Sequence, residues 1–124
     1  MFNIDRFDYE SLYFQALEGK ILSAAMADHK TVYFLTDSGE KYALLHFQDC
    51  CEHVYIESIE GDLNDLVGTP ILKAEEARSR NNDKYESMTW TFYKITTVKG
   101  YVDIRFCGTS NGYYSESVTF VKVN

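Results

Sequence analysis

The stretch MTWTFYKITTVKGYVDIRFCGTSNGYYSESVTFVKV, residues 88–123, decides the fold. It is dense in Thr, Val, Ile, Tyr and Phe, which fit a pleated, half-buried surface. Lys99-Gly100 and Ser110-Asn111-Gly112 punctuate it where turns belong. Three β runs are expected: Met88–Val98, Tyr101–Gly108 and Tyr113–Val123. Residues opposed across an antiparallel pair share a face, so register follows from matching like with like. A two-residue turn at Lys99-Gly100 sets Ile95 against Ile104 and Tyr93 against Phe106. A three-residue loop with Gly112 left-handed sets Ile104 against Val118, Val102 against Phe120 and Arg105 against Ser117. The expected product is a three-stranded meander with unlike faces. Tyr93, Ile95, Val102, Ile104, Phe106, Val118 and Phe120 make its core side. Trp90, Phe92, Lys94, Asp103, Arg105, Cys107, Ser115 and Ser117 point the other way.

Upstream, Asp8 is placed to cap a short helix whose apolar positions Tyr9, Leu12, Tyr13, Ala16 and Leu17 recur at helical spacing. Gly19 follows as its left-handed stop. Lys20–Ala27 reads as a weak strand. Thr31–Thr36 and Lys41–Phe47 flank Asp37-Ser38-Gly39-Glu40, a hairpin signal. Val54–Ile59 alternates as a half-buried strand does, and Asp62–Gly68 reads as one capped helical turn. Ile71–Ala77 fits strand or helix, and the polar Arg78–Glu86 reads as an exposed mobile loop. The expected fold class is α+β, mostly β. An antiparallel sheet, made of the C-terminal meander and the N-terminal hairpin, carries a short N-terminal helix packed on it, in a single domain over residues 1–124.

Composition narrows function. At 124 residues the chain is of single-domain size and needs neither metal nor disulfide to hold a core. Nineteen acidic against twelve basic residues leave a charge of −7, which argues against direct nucleic-acid binding and fits a partner with a basic surface. Ten Tyr, eight Phe and one Trp supply both strand formers and contact surface. Three cysteines, two of them adjacent, suit reduced thiols in a cytosol better than a secreted disulfide framework. No signal peptide and no membrane-spanning run is expected.

Three groups of residues are candidates for chemistry. On the outward face Lys94 and Arg105 are expected to lie opposite each other, and like charges so placed call for an offset. A small anionic nucleotide, stacked on Trp90 and Phe92 and held by the hydroxyls of Ser115 and Ser117, supplies one. A surface ion pair through Asp103, beside packed rings, accounts for the same residues. The second group, Asn111, Tyr113, Tyr114 and Glu116, offers a surface for a protein partner. The third, His46, Asp49, Cys50 and His53 with Cys51, has the residue types of a metal or thiol site. Adjacent cysteines on a strand point opposite ways, however, so a turn with one buried thiol is the simpler reading. No phosphate loop, nucleophile elbow or zinc-protease motif is present, and neither enzyme activity nor a cofactor is expected.

The segments Gln48-Asp49-Cys50-Cys51-Glu52, Val54-Tyr55-Ile56, Gly61-Asp62-Leu63, Thr89-Trp90-Thr91-Phe92-Tyr93 and Ser110-Asn111-Gly112-Tyr113-Tyr114-Ser115-Glu116 occur in this order between Thr31 and Phe120. In them the chain resembles a small domain family of unknown function found mostly in bacteriophages and prophages. The resemblance brings no activity and no site residues. It implies a setting, the cytoplasm of a bacterial host, where a small acidic protein works by stoichiometric binding. The expected function is inhibition of a host nucleic-acid-handling or defence complex. A sponge for a nucleotide signal and a metal- or thiol-dependent enzyme are the alternatives.

Overall fold

The computed structural model describes residues 1–82 and 86–124. Among the described residues nine strands run in chain order: β1 Tyr9–Ser11, β2 Leu22–Ala27, β3 Val32–Thr36, β4 Lys41–Leu45, β5 His53–Glu60, β6 Lys73–Asn82, β7 Ser87–Thr97, β8 Gly100–Ser110 and β9 Thr119–Val123. They form two antiparallel sheets, one of order β1-β9-β4-β3-β2 and one of order β5-β8-β7-β6. Inward residues of both sheets join one core, with Phe34, Tyr42, Leu44 and Phe120 from the first and Val54, Tyr93, Ile95, Val102, Ile104 and Phe106 from the second. Phe14 knits them, edge-on to Tyr93 at 4.8 Å and to Phe120 at 5.3 Å.

The α+β expectation is overturned: the chain is nearly all β, and no α-helix forms among the described residues. Tyr9–Ser11 is strand β1, paired to β9 with Tyr9 opposite Val123. Only Phe14–Leu17 coils, as a single 3₁₀ turn that buries Phe14 and Leu17. The helical spacing failed because an isolated helix this short is marginal in water. Pairing with β9 satisfies the backbone of Tyr9–Ser11 instead. Tyr13, assigned to the buried stripe, is 86% exposed.

The three-stranded meander is also corrected. β7 and β8 pair along their whole length, but the hairpin closes at Thr97 opposite Gly100, with Val98-Lys99 as the turn. Every pair therefore slides by two residues, so the faces are kept and the partners change. Asp65 and Val67 fix this register from outside: Thr97 Oγ1 donates to the Asp65 carbonyl and Lys99 Nζ to that of Val67, at 2.6 Å each. The second hairpin does not form. After Ser110 the chain leaves the sheet and crosses to the other one, where β9 lies between β1 and β4 with Leu44 opposite Phe120. β5 takes the place beside β8, with Ser58 opposite Arg105. All seven predicted core residues of the stretch are buried nevertheless. Gly112 has φ +93, as a left-handed position requires, but in the crossing rather than in a hairpin.

The β3–β4 hairpin forms as expected, with Glu40 N–H donating to Thr36 Oγ1 at 2.9 Å. The capped turn forms at Leu63–Leu66, with Asp62 accepting from Asn64 N–H. Of the ambiguous Ile71–Ala77, Lys73 to Ala77 resolve as strand. Of the expected loop over Arg78–Glu86, Arg78 to Asn82 continue β6; residues 83–85 lie outside the described residues.

Candidate functional site

Strand pairing builds a site on the outward side of the four-stranded sheet. One row across it reads Glu75, Lys94, Asp103, Glu60, each opposite the next, and the neighbouring row reads Ala77, Phe92, Arg105, Ser58. With Trp90 opposite Cys107 in the row beyond, the β7 and β8 part of the expected outward face is reproduced, although Cys107 is buried. These rows line a groove of about 440 Å³ whose walls include Glu60, Glu75, Phe92, Lys94, Asp103 and Arg105. A β-bulge between Ile56 and Ser58 brings Glu57 to Arg105 as well. Arg105 Nε donates to Glu57 at 2.6 Å, and its guanidinium lies 5.4 Å from the Trp90 ring. This bond holds the Glu57 carboxyl below its ordinary range.

The two cations are not opposed to each other, because the register slide moves Lys94 opposite Asp103 and Arg105 opposite Phe92. Lys94 Nζ also sits 4.5 Å from the Tyr101 ring centre. Arg105 is thus matched by Glu57, whereas Lys94 makes no ion pair with the Asp103 opposite it and turns its ammonium to the Tyr101 ring. The unmatched like-charge contact is the opposite one, Glu60 directly across from Asp103. Such a pair destabilises a sheet unless a cation offsets it. Sequence reasoning, which reads Glu57 and Glu60 as part of a solvated acidic face, did not place them or Glu75 beside the cations, because β5 and β6 were not seen to flank β7 and β8. The alternation of Val54–Ile59 was the available signal.

A family model, Domain of unknown function (DUF7448), matches residues 15–120. The chain belongs to this family. The match starts at Gln15, well before the Thr31 at which the resemblance was drawn, so within this DUF7448 domain it takes in most of the 3₁₀ turn that buries Phe14 and Leu17. The family's description gives no activity. No curated protein and no solved structure matches the chain.

The other candidate residues of the DUF7448 domain are regrouped. Ser115 and Ser117 do not reach the Trp90 face. They line a second cleft with Tyr113, Tyr114, Arg78 and Arg80. Glu116, proposed as a contact residue, is only 6% exposed and accepts hydroxyl bonds from Ser87, Thr89 and Ser110. Asn111 is exposed and caps its own turn through Tyr113 N–H.

The His46–His53 segment is organised around Glu52, whose side chain is fully enclosed. Its carboxylate accepts from Asp49 N–H at 2.9 Å, Cys50 N–H at 2.8 Å and Gln48 Nε2 at 3.2 Å, and meets His46 Nε2 at 2.6 Å. Burial alone raises a carboxyl pKa; here His46 and the backbone N–H groups outweigh it and hold Glu52 down to about 2. His46 Nδ1 faces the Ser117 carbonyl at 2.7 Å, so both ring nitrogens face acceptors. Only the imidazolium donates from both. Contrary to the expectation of free thiols, Cys50 and Cys51 are joined by a disulfide, and both are exposed; the buried thiol is Cys107. His53 stacks on Tyr55 at 4.7 Å. Among the described residues no three His, Cys, Asp or Glu side chains gather as metal ligands do, and no helix is long and apolar enough to cross a membrane.

Proposed function

We propose that the chain acts by non-catalytic binding, and that the outward groove of the four-stranded sheet receives a basic side chain or segment of a protein partner. The observation that supports this most is Glu60 opposite Asp103, an unrelieved acidic pair beside the half-exposed Phe92 ring. Rings next to carboxylates suit Arg and Lys, whose stems pack on the ring while the charge meets the acids. The resemblance to phage domains extends the proposal: the partner is a nucleic-acid-handling or defence complex of a bacterial host, met in its cytoplasm, with the chain as stoichiometric inhibitor. Such complexes carry the basic grooves that an acidic protein of charge −7 complements. A nucleotide sponge at Trp90, Phe92, Lys94 and Arg105 is less well supported, since an anion there has to displace Glu57 from Arg105 and meets the Glu60 and Asp103 carboxylates across from Lys94.

Affinity purification from bacterial lysate, with the unmodified chain and a Glu60→Lys/Asp103→Lys variant as baits, tests the reading. The expected result is a stoichiometric partner retained by the first and lost by the second, at equal thermal stability. Recovery of no partner across a range of salt, or equal recovery by both baits, overturns it.

A further inference from the structure

The inward side of the four-stranded sheet changes character along its length. Near the β7–β8 turn it carries Tyr93, Ile95, Val102 and Ile104, all sealed in the core. Towards the other end the same side carries Thr91, Thr89 and Ser87 on β7, with Arg78 opposite Thr91 and Arg80 opposite Thr89 on β6. An inward face normally stays apolar, so a polar stretch needs a reason. Glu116 explains the hydroxyls, because it sits against Ser87 and Thr89 and consumes their donors. It does not explain the arginines. Arg78 has only a loose contact with Glu76 at 3.6 Å, and Arg80 donates to a neutral group, Ser87 Oγ, at 3.3 Å. Both guanidinium-bearing residues are exposed and border a cleft of about 320 Å³.

The opposite wall is the crossing between β8 and β9. Ser115 and Ser117 bond to each other at 2.9 Å and face the cleft, as do Tyr113 and Tyr114. Tyr113 is 82% exposed with its ring edge-on to that of Tyr114. Hydroxyl donors therefore stand across from two forked cations on one strand face. Positions two apart on a strand are separated by roughly 7 Å, which lets both forks turn onto one polyoxygen anion.

We propose that this cleft binds a phosphoryl group, with Arg78 and Arg80 as charge partners and the Ser117 hydroxyl, which itself accepts from Ser115, as donor. Glu116 also lines the cleft, with its carboxylate oxygens accepting from the Ser87, Thr89 and Ser110 hydroxyls, which damps the charge it presents beside the two arginines. The exposed ring of Tyr113 at the mouth offers a stacking surface for a base, which makes a nucleoside phosphate one source of the group and free phosphate or pyrophosphate the other. The site is separate from the outward groove.

The test is thermal unfolding against pyrophosphate, and separately against adenosine monophosphate, with sodium chloride adjusted to constant ionic strength. The expected result is a saturable rise in Tm for the unmodified chain. Arg78→Gln and Arg80→Gln should each weaken binding roughly tenfold, the effect of losing one charge-assisted hydrogen bond. Arg80→Lys, which keeps the charge and loses the fork, should fall between. Tyr113→Ala should weaken the nucleotide alone if the base stacks there, and neither probe if the phosphoryl group is the whole ligand. No saturable rise with either probe, or equal rises in both arginine variants and the unmodified chain, overturns the proposal. Either result leaves the basic-partner reading of the outward groove untouched.

Discussion

Replacing Arg105 by Gln separates the two readings of the outward groove by sign. The side chain is partly exposed, bonded to Glu57 and lying over Trp90, so its loss removes a cation without opening the core. Global stability should scarcely move. The groove then carries Glu60, Glu75, Glu76 and Asp103 against Lys94 alone, with Glu57 beside it released from its ion pair. A partner cation seated between Glu60 and Asp103 loses a like charge two strand positions away, at about 6–7 Å. With an effective dielectric between about 20 and 80, that repulsion is worth roughly 0.7–3 kcal/mol, so relief of it tightens binding about threefold or more at low salt. An anionic ligand behaves oppositely: it loses a charge-assisted hydrogen bond, at a cost of about 1.5–3 kcal/mol, and binds about tenfold or more weakly. Calorimetric titration of both forms with an arginine-rich peptide, and with the partner recovered by affinity purification, reads the difference. Weaker binding of both by Arg105→Gln would refute the reasoning.

Other perturbations address the scaffold. Glu52→Ala leaves His46 and two loop N–H groups without their acceptor in an enclosed site, and should cost about 3–5 kcal/mol in a urea unfolding curve; a change under about 1 kcal/mol would mean the loop is held otherwise. Glu52 and Glu40 are both held at about 2 when folded, against 4.5 ordinarily, the latter by Lys20 and Lys122. Their stabilisation is therefore complete above about pH 4.5 and is lost as pH falls towards 2, so Tm should drop across that window and flatten in Glu52→Gln/Glu40→Gln. Gly61 has φ +100 and an added Cβ would lie 2.6 Å from the Tyr101 carbonyl, so Gly61→Ala should destabilise by more than about 1 kcal/mol and disturb neighbouring Glu60. Phe92→Ala, at a side chain 38% exposed, should leave the denaturation midpoint nearly unchanged while abolishing partner capture.

How far the sequence could be read depends on what alternation encodes. Period-two patterning tells which side of a strand is buried, so the core residues from Tyr93 to Phe120 and the outward Trp90, Phe92, Lys94 and Arg105 were legible. It does not tell which sheet a strand joins. Val118 and Phe120 are buried in either sheet, and the choice of β4 over β8 as neighbour for β9 rests on contacts far apart in the chain. The β7–β8 turn was misplaced by one residue, and the pairing with it by two, for the same reason, since Thr97 and Lys99 are held by Asp65 and Val67. The N-terminal stripe of Tyr9, Leu12 and Tyr13 fits a helical spacing, and pairing of Tyr9–Ser11 with β9 of the five-stranded sheet overrode it. Glu52 and Glu116 looked like surface charges, because burial of a carboxylate depends on donors that only the folded loops bring together.

Trp90 is the single tryptophan of the chain and stands in the row beside the groove, so acrylamide quenching of its emission, free and with the captured partner bound, tests the central claim most directly. Occupation of the outward face by the partner should shield the ring and cut the quenching constant, with the protection lost in Glu60→Lys/Asp103→Lys. A bound partner that leaves Trp90 quenching unchanged would place the interface elsewhere and contradict the account.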